Sequence, residues 1–263
     1  KNTAWYEANK NNSNISGQLA VIKNAYEKRA IRLQNEFLND PVNETKLLAY
    51  NRHIDEFAAF PELHGENYTV WKAQADKTRL LLCNTLAERS NLPKHYLTAI
   101  RNLQEFNAKY PQDVDFFQNE GLIYTYSFNI YNLMKDLYGE GFQPESGLPA
   151  NADELYALLQ SNSQRFINVL RSDAYKNPER ETQAVNILLS LADIQYDRDK
   201  IPEAKALYLS ALENEALIPE RTKFAVYGKL ALMAENENNY AQAEAYYRKA
   251  LPFAATPAER EAI

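Results

Sequence analysis

Two short runs in this chain carry side chains that could do chemistry, His53-Ile54-Asp55-Glu56 and His64-Gly65-Glu66. An imidazole beside a carboxylate is the pairing that zinc sites and general acid–base catalysis both use. Helical spacing lets His53 and Glu56 share a face, but no third ligand stands at a metal-binding interval, and His64 falls between helices. The chain has three histidines, so capping or surface roles are expected for these two, and the purified protein is expected to hold no zinc. The one cysteine, Cys83, leaves no internal disulfide and no multi-cysteine metal site. Its place on an apolar stripe predicts burial. No phosphate-cradling glycine loop, nucleophile elbow or paired-histidine metalloprotease helix occurs, so no catalytic, cofactor or metal residue is assigned.

The elements that would have to position any site are helices. Seven glycines and eleven prolines in 263 residues leave long amphipathic runs between few breaks. Residues 16–38 place Leu19, Ile22, Tyr26, Ala30, Leu33 and Phe37 on one face, and 44–59 do the same with Leu47, Tyr50, Ile54 and Phe57. A third run from Tyr68 carries Trp71, Ala75, Thr78, Leu82 and Leu86, and its return helix opens near Pro93. Three of the seven glycines fall between Tyr138 and Asn151, which marks a boundary. Asn151 and Glu154 then form a capping pair ahead of Leu155, Leu159, Phe166 and Leu170. The expected division is 1–140, a divergent helical array, and 151–263, a regular one, stacked as one continuous superhelix.

The regular part is regular because a pattern is written twice. Ala204, Tyr208 and Ala211 recur as Ala243, Tyr247 and Ala250, 39 residues later, each following a helix with Leu-Ala (Leu191-Ala192 and Leu230-Ala231) by the same interval. Small residues at close crossings make a stackable hairpin that cannot bury its apolar face alone. These residues resemble the tetratricopeptide repeats, whose unit of about 34 residues runs from a Leu-Gly/Ala pair to a Tyr and then to Ala, aromatic, Ala. The matching residues are Tyr227, Leu230, Ala231, Ala234, Ala243, Tyr247 and Ala250 in one unit, and Leu188, Leu191, Ala192, Ala204, Tyr208 and Ala211 in the other, where Gln195 replaces the usual Tyr. A weaker copy spans 80–113, with Leu86, Ala87, Ala99, Leu103, Phe106 and Pro111, and Gly121 and Tyr124 extend its register. The resemblance implies an all-α solenoid of antiparallel hairpins in a right-handed superhelix, with Tyr247 interior to its hairpin.

It also implies a concave groove. The family's inward positions fall on Asn186, Leu189, Asp193, Tyr196 and Asp197, and on Ala225, Gly228, Leu232, Glu235 and Asn236. That surface is acidic and partly apolar, so a basic or neutral protein segment is expected there and an acidic tail is not. The chaperone-binding members clamp a terminal carboxylate with Lys and Asn at the fifth and ninth positions. Here those positions hold Asn84/Glu88, Gln118/Leu122, Leu189/Asp193 and Gly228/Leu232, so the clamp is missing. In the aromatic stretch 116–142, Phe117, Tyr124, Phe128 and Tyr131 share a face read as core, which leaves Tyr126 as an exposed anchor in the groove.

A net charge of −6, spread along the chain, lacks the field that nucleic-acid phosphates require. No apolar run approaches the roughly 18 residues of a membrane span. A soluble protein is expected, cytoplasmic or periplasmic. The first residue is Lys1, and a further helix starts at Thr256-Pro257-Ala258-Glu259 close to the last residue, Ile263, so a segment of a longer protein is expected. The functional expectation is a protein-interaction module that holds an extended peptide or a partner helix. The rivals are a sensor or regulatory region of a signalling protein, and an enzyme with an unrecognised site.

Overall fold

The structure, a computed structural model, describes residue 8, residues 14–138 and residues 141–261. It is all-α, and the described residues contain no strand. The helices are α1 (Ile15–Leu38), α2 (Glu44–Ala58), α3 (Tyr68–Ser90), α4 (Pro93–Lys109), α5 (Phe116–Met134) and α6 (Ala152–Leu170), followed by α7 (Pro178–Asp197), α8 (Ile201–Leu212), α9 (Glu220–Asn236), α10 (Tyr240–Ala250) and the short α11 (Pro257–Glu261). Neighbours in sequence pack as antiparallel pairs, α1 on α2, α4 on both α3 and α5, α7 on α8, and α9 on α10. Two compact units result, residues 1–159 and 160–263, which divide inside α6 and not in the glycine-rich segment before it.

The hairpins turn without glycine. Asn91, Asp199 and Asn238 take left-handed backbone angles (φ 52°, 59° and 59°), Asn91 directly after α3 and the other two at the second position past the ends of α7 and α9. Short Asn and Asp side chains tolerate this region because they bond locally. After α7 the Lys200 amide reaches back to the Gln195 carbonyl at 2.9 Å, and after α9 the Asn239 amide reaches the Ala234 carbonyl at 2.8 Å. The two turns are therefore the same motif, closed over the last helical carbonyls. Helix starts are equally explicit. Asn43, Asn177 and Asn239 cap with their side chains, and the Asn151 Oδ1 accepts from the Glu154 amide at 2.8 Å. Thr256 and Glu259 form the expected reciprocal box at α11, with both bonds at 3.2 Å.

Within residues 160–263 the small crossing residues are closed. Ala192, Ala204, Ala211, Ala231 and Ala250 have no exposed surface, and Tyr208 is likewise fully buried. Tyr247, at the equivalent place in the second copy, is only half-buried, and Tyr246 beside it takes the interior position. The expectation for Tyr247 is corrected for a packing reason: α9 covers Tyr208, whose hydroxyl donates to Asp193 of α7 and accepts from Lys229 of α9 at 3.2 Å. Tyr247 instead lines an open cleft with Tyr240, Leu251 and Arg260.

In residues 1–159 the expected stripe of α2 is buried, that of α3 is buried at Ala75, Leu82 and Leu86 and half-buried at Trp71 and Thr78, but α1 buries only Leu33 and Phe37 at its C-terminal end, and Ile22 is exposed. Cys83 is buried as expected, and burial pushes its thiol pKa up. The histidines depart from expectation. His53 and His64 are 2% and 4% exposed, because a ring cluster from three helices encloses them. Tyr26 of α1 stacks on His53 and on Phe57 (5.2 and 4.9 Å), and His64 stacks on Trp71 of α3 at 3.8 Å with Phe57 at 4.4 Å. His53 Nε2 meets the Tyr26 carbonyl at 2.9 Å, whereas neither ring nitrogen of His64 makes a well-formed hydrogen bond.

Burial holds the His64 pKa below its ordinary value, with the Phe57 backbone opposing in smaller degree. A depressed imidazole means that the unfolded chain takes up a proton which the folded chain refuses. Stability is then full above about pH 6.5 and declines as the pH falls below it. Urea midpoints measured at about pH 8 and about pH 5.5 should show this loss in the wild type and a smaller one in His64→Phe. Equal losses would remove His64 as the cause.

Candidate functional site

A groove that carries an unsatisfied polar atom lies in the first unit, between α3 and α5. Residues Lys77, Leu81, Asn84, Thr85 and Glu88 stand three or four apart on α3 and so share a face; Gln118, Asn119 and Leu122 do the same on α5. α4 packs behind both helices, and its Phe106 joins Leu80 as the apolar part of the lining. The cleft is 410 Å³, inside the range of roughly 300–1,000 Å³ typical of ligand pockets. Leu81 offers it an aliphatic side chain that is 61% exposed.

Its charges are held from both ends. Lys77 Nζ lies 2.9 Å from both Asp113 and Asp115 on the segment before α5, and those contacts raise the lysine pKa against the opposing effect of burial. Glu88 Oε1 accepts from the Tyr126 hydroxyl at 2.6 Å. Between the ends lie amides. Asn119 Nδ2 donates to Asn107 Oδ1 at 2.9 Å, and Asn107 Nδ2 donates to Glu120 Oε1 at 2.7 Å, which fixes Asn119 from behind. Asn84 differs, since it is 9% exposed, lines the groove, and its Oδ1 has no hydrogen-bond partner. Thr78 and Thr85 turn their hydroxyls back to carbonyls of their own helix, at 3.0 and 2.8 Å.

Tyr126 is not an exposed anchor. It is 1% exposed, and burial followed by the Glu88 contact pushes its phenol pKa well above the ordinary value. The buried face of α5 is Ile123, Tyr126, Ile130 and Met134, with Tyr131 at its edge, and Phe117, Tyr124 and Phe128 are half-buried. The aliphatic residues set the core face, and the aromatic set falls mostly to its flank.

In the second unit the expected groove residues are partly dispersed. Asn186, Asp193, Asp197, Leu232 and Asn236 are exposed, and Tyr196 is half-buried. Leu189 is a correction, buried at 6% exposure in the packing of α7. Asp193 Oδ1 accepts from Lys229 Nζ at 2.7 Å, and Lys229 also lies over the Tyr196 ring at 5.2 Å. The acidic surface read from Asp193 is thus neutralised by a lysine that the family positions do not pick out. Reversing Asp193 to Lys would set it against Lys229 and remove the acceptor of Tyr208, so it disturbs the fold as well as the face. Glu235 lines the open cleft beside Tyr247, with Arg248 and Arg260.

Among the described residues no three His, Cys, Asp or Glu side chains gather as a metal-binding group, and no helix is long and apolar enough to cross a membrane. A second cleft of 380 Å³, on the α2 side of Leu80 and Phe106, is occupied by bridges that tie α2, α3 and α4 together. Arg79 binds Asp55 at 2.6 Å, and Asp76 takes Lys72, Lys109 and Tyr110.

No protein-family model matches the chain, and no curated protein matches it. Among solved structures it is similar to the crystal structure of BtubC (BKLC) from P. vanneervenii, with a TM-score of 0.36 and 11% identity over 89% of this chain and 90% of that one. A likeness this slight defines neither a family nor a function.

Proposed function

We propose that the chain is a protein-interaction module of tetratricopeptide-like hairpins, and that the α3–α5 groove holds a segment of its partner. The observation that carries this reading is Asn84, a buried residue in the wall of the cleft whose Oδ1 has no hydrogen-bond partner, beside the exposed side chain of Leu81. A buried polar atom without a partner costs roughly 1–3 kcal/mol, so a small rearrangement of this wall on binding would gain a hydrogen bond. The groove is assembled by Asn84, Glu88, Gln118 and Leu122, which are the fifth and ninth positions of two successive first helices in the resemblance. Recognition there needs no chemistry from the chain, only a fixed surface.

The test is site-specific photo-crosslinking in the source cell extract. A benzophenone side chain at Leu81 should trap one partner, and the same probe at Val70, which is 72% exposed on the same helix and does not line the groove, should not. Equal trapping from both positions would sink the assignment of the groove.

A further inference from the structure

We infer that the first half of α1 is an acid-released flap: it is the removable wall of the cage around His64, and acid swings it away at Tyr26 to uncover the rings of α2 and α3.

The walls of that cage are unequally held. α2 and α3 are tied by Arg79, which donates to the Asn51 carbonyl at 2.7 Å and to Asp55 at 2.6 Å, and by the Tyr68 hydroxyl, which donates to the Ala58 carbonyl at 3.1 Å. α1 packs chiefly on α2 and on the turn Pro61–Leu63 that leads into His64. It buries no residue before Leu33, so residues 15–30 are held mainly through the half-buried Tyr26, which stacks on Phe57 and His53 and accepts the His53 Nε2–H at its carbonyl.

The two imidazoles have different parts in this. A carbonyl only accepts, so His53 keeps a hydrogen on Nε2 whether neutral or charged, and its Nδ1 faces Glu56 at 3.9 Å. Protonation leaves that clasp intact. His64 has no such arrangement. Its ring lies against Trp71, Phe57 and Tyr68 with neither nitrogen well bonded. A proton added there is a buried charge, and the ring faces return only part of the hydration it loses. Burial is the largest influence on that proton and opposes it; the Phe57 backbone and Glu27 of α1 favour it, and Lys23 of α1 opposes it. Of the other charged groups nearby, Glu56 of α2 lies against His53, Glu62 and Glu66 flank His64 half-buried and exposed, and Lys72 of α3 is taken by Asp76 at 2.9 Å. The closed cage refuses the proton and the open one takes it up, so opening gains up to about tenfold for each pH unit below about 6.5.

The experiment is hydrogen exchange by mass spectrometry on the full chain, at about pH 8 and about pH 5.5, corrected for the pH dependence of intrinsic exchange. The opening constant of residues 15–30 should rise about tenfold at the lower pH, the effect of one proton at an open-state pKa of about 6.5, while those of α4 and α5 change by less than about twofold. In a Trp5→Phe background Trp71 is the one tryptophan left, and its emission should shift to the red over the same interval. Tyr26→Ala should leave residues 15–30 open at both pH values. His64→Phe should hold the rise below about twofold. An equal rise in α4 and α5 would mean that the unit opens as a whole, which overturns the flap. A tenfold rise that survives His64→Phe overturns the assignment of the proton. Unchanged exchange and unshifted Trp71 emission with His64 in place overturn both, whether or not the His64 and Tyr26 variants fold.

Discussion

Tyr208→Ala is expected to destabilise residues 160–263 by about 3–5 kcal/mol, the range for removing a large aromatic from a packed interior. The ring has no exposed surface, and it stands where α7, α8 and α9 meet, so its loss opens a cavity that all three helices line. Tyr208→Phe separates ring from hydroxyl. It keeps the packing and should cost about 1 kcal/mol, because Asp193 retains Lys229. Tyr247→Ala, at the matching place in the second copy, should cost about 1–2 kcal/mol, in line with its half-burial. Urea unfolding followed by circular dichroism measures all three. If Tyr208 and Tyr247 cost the same, the asymmetry between the two hairpins is refuted.

Asn107→Leu is expected to cost about 3 kcal/mol, since it strips a hydrogen-bond partner from the fully buried carboxylate of Glu120 and from the amide of Asn119 at once. Asn107→Asp gives a signature that simple loss of packing would not. It would set a second carboxyl at hydrogen-bond distance from Glu120, and two such groups cannot both be ionised. One must carry a proton, so the variant should lose more stability at about pH 8 than at about pH 5, the reverse of the His64 effect. A pH-independent loss would show that Asn107 acts through shape alone. Because Asn119 lines the groove, Asn107→Leu should also weaken partner binding, whereas Tyr208→Ala should not.

The hairpins of this protein are legible in its sequence because their determinants are local. Apolar residues at three- and four-residue intervals give the helices, Asn and Glu pairs give their starts, and the Ala-Tyr-Ala triplets give the close crossings. What escapes is whatever depends on a third element. The stripe Ile123, Tyr126, Ile130, Met134 has the same helical spacing as the aromatic set beside it, so periodicity alone does not choose between them on a helix apolar over much of its surface. Glu88 and Tyr96, both from other helices, decide it by engaging Tyr126. His64 looks like a loop histidine until Phe57 and Trp71 close over it. Asp193 reads as acidic surface until Lys229, 36 residues on, crosses to it. The groove was half visible. Asn84 and Gln118 stand at inward positions of the resemblance, but the orphan status of Asn84 is a property of packing and has no signal in the chain.

Within each unit the main packing is between helices that are neighbours in sequence, α1 with α2, α4 with α3 and α5, α7 with α8 and α9 with α10, which bears on how the protein reaches this fold. Closing a turn such as Asn91-Leu92 brings together residues already near along the backbone, so little loop entropy is lost before contacts form. Local contacts of this kind favour fast formation of each hairpin, so within a unit a hairpin can serve as the starting point from which order spreads to its neighbours.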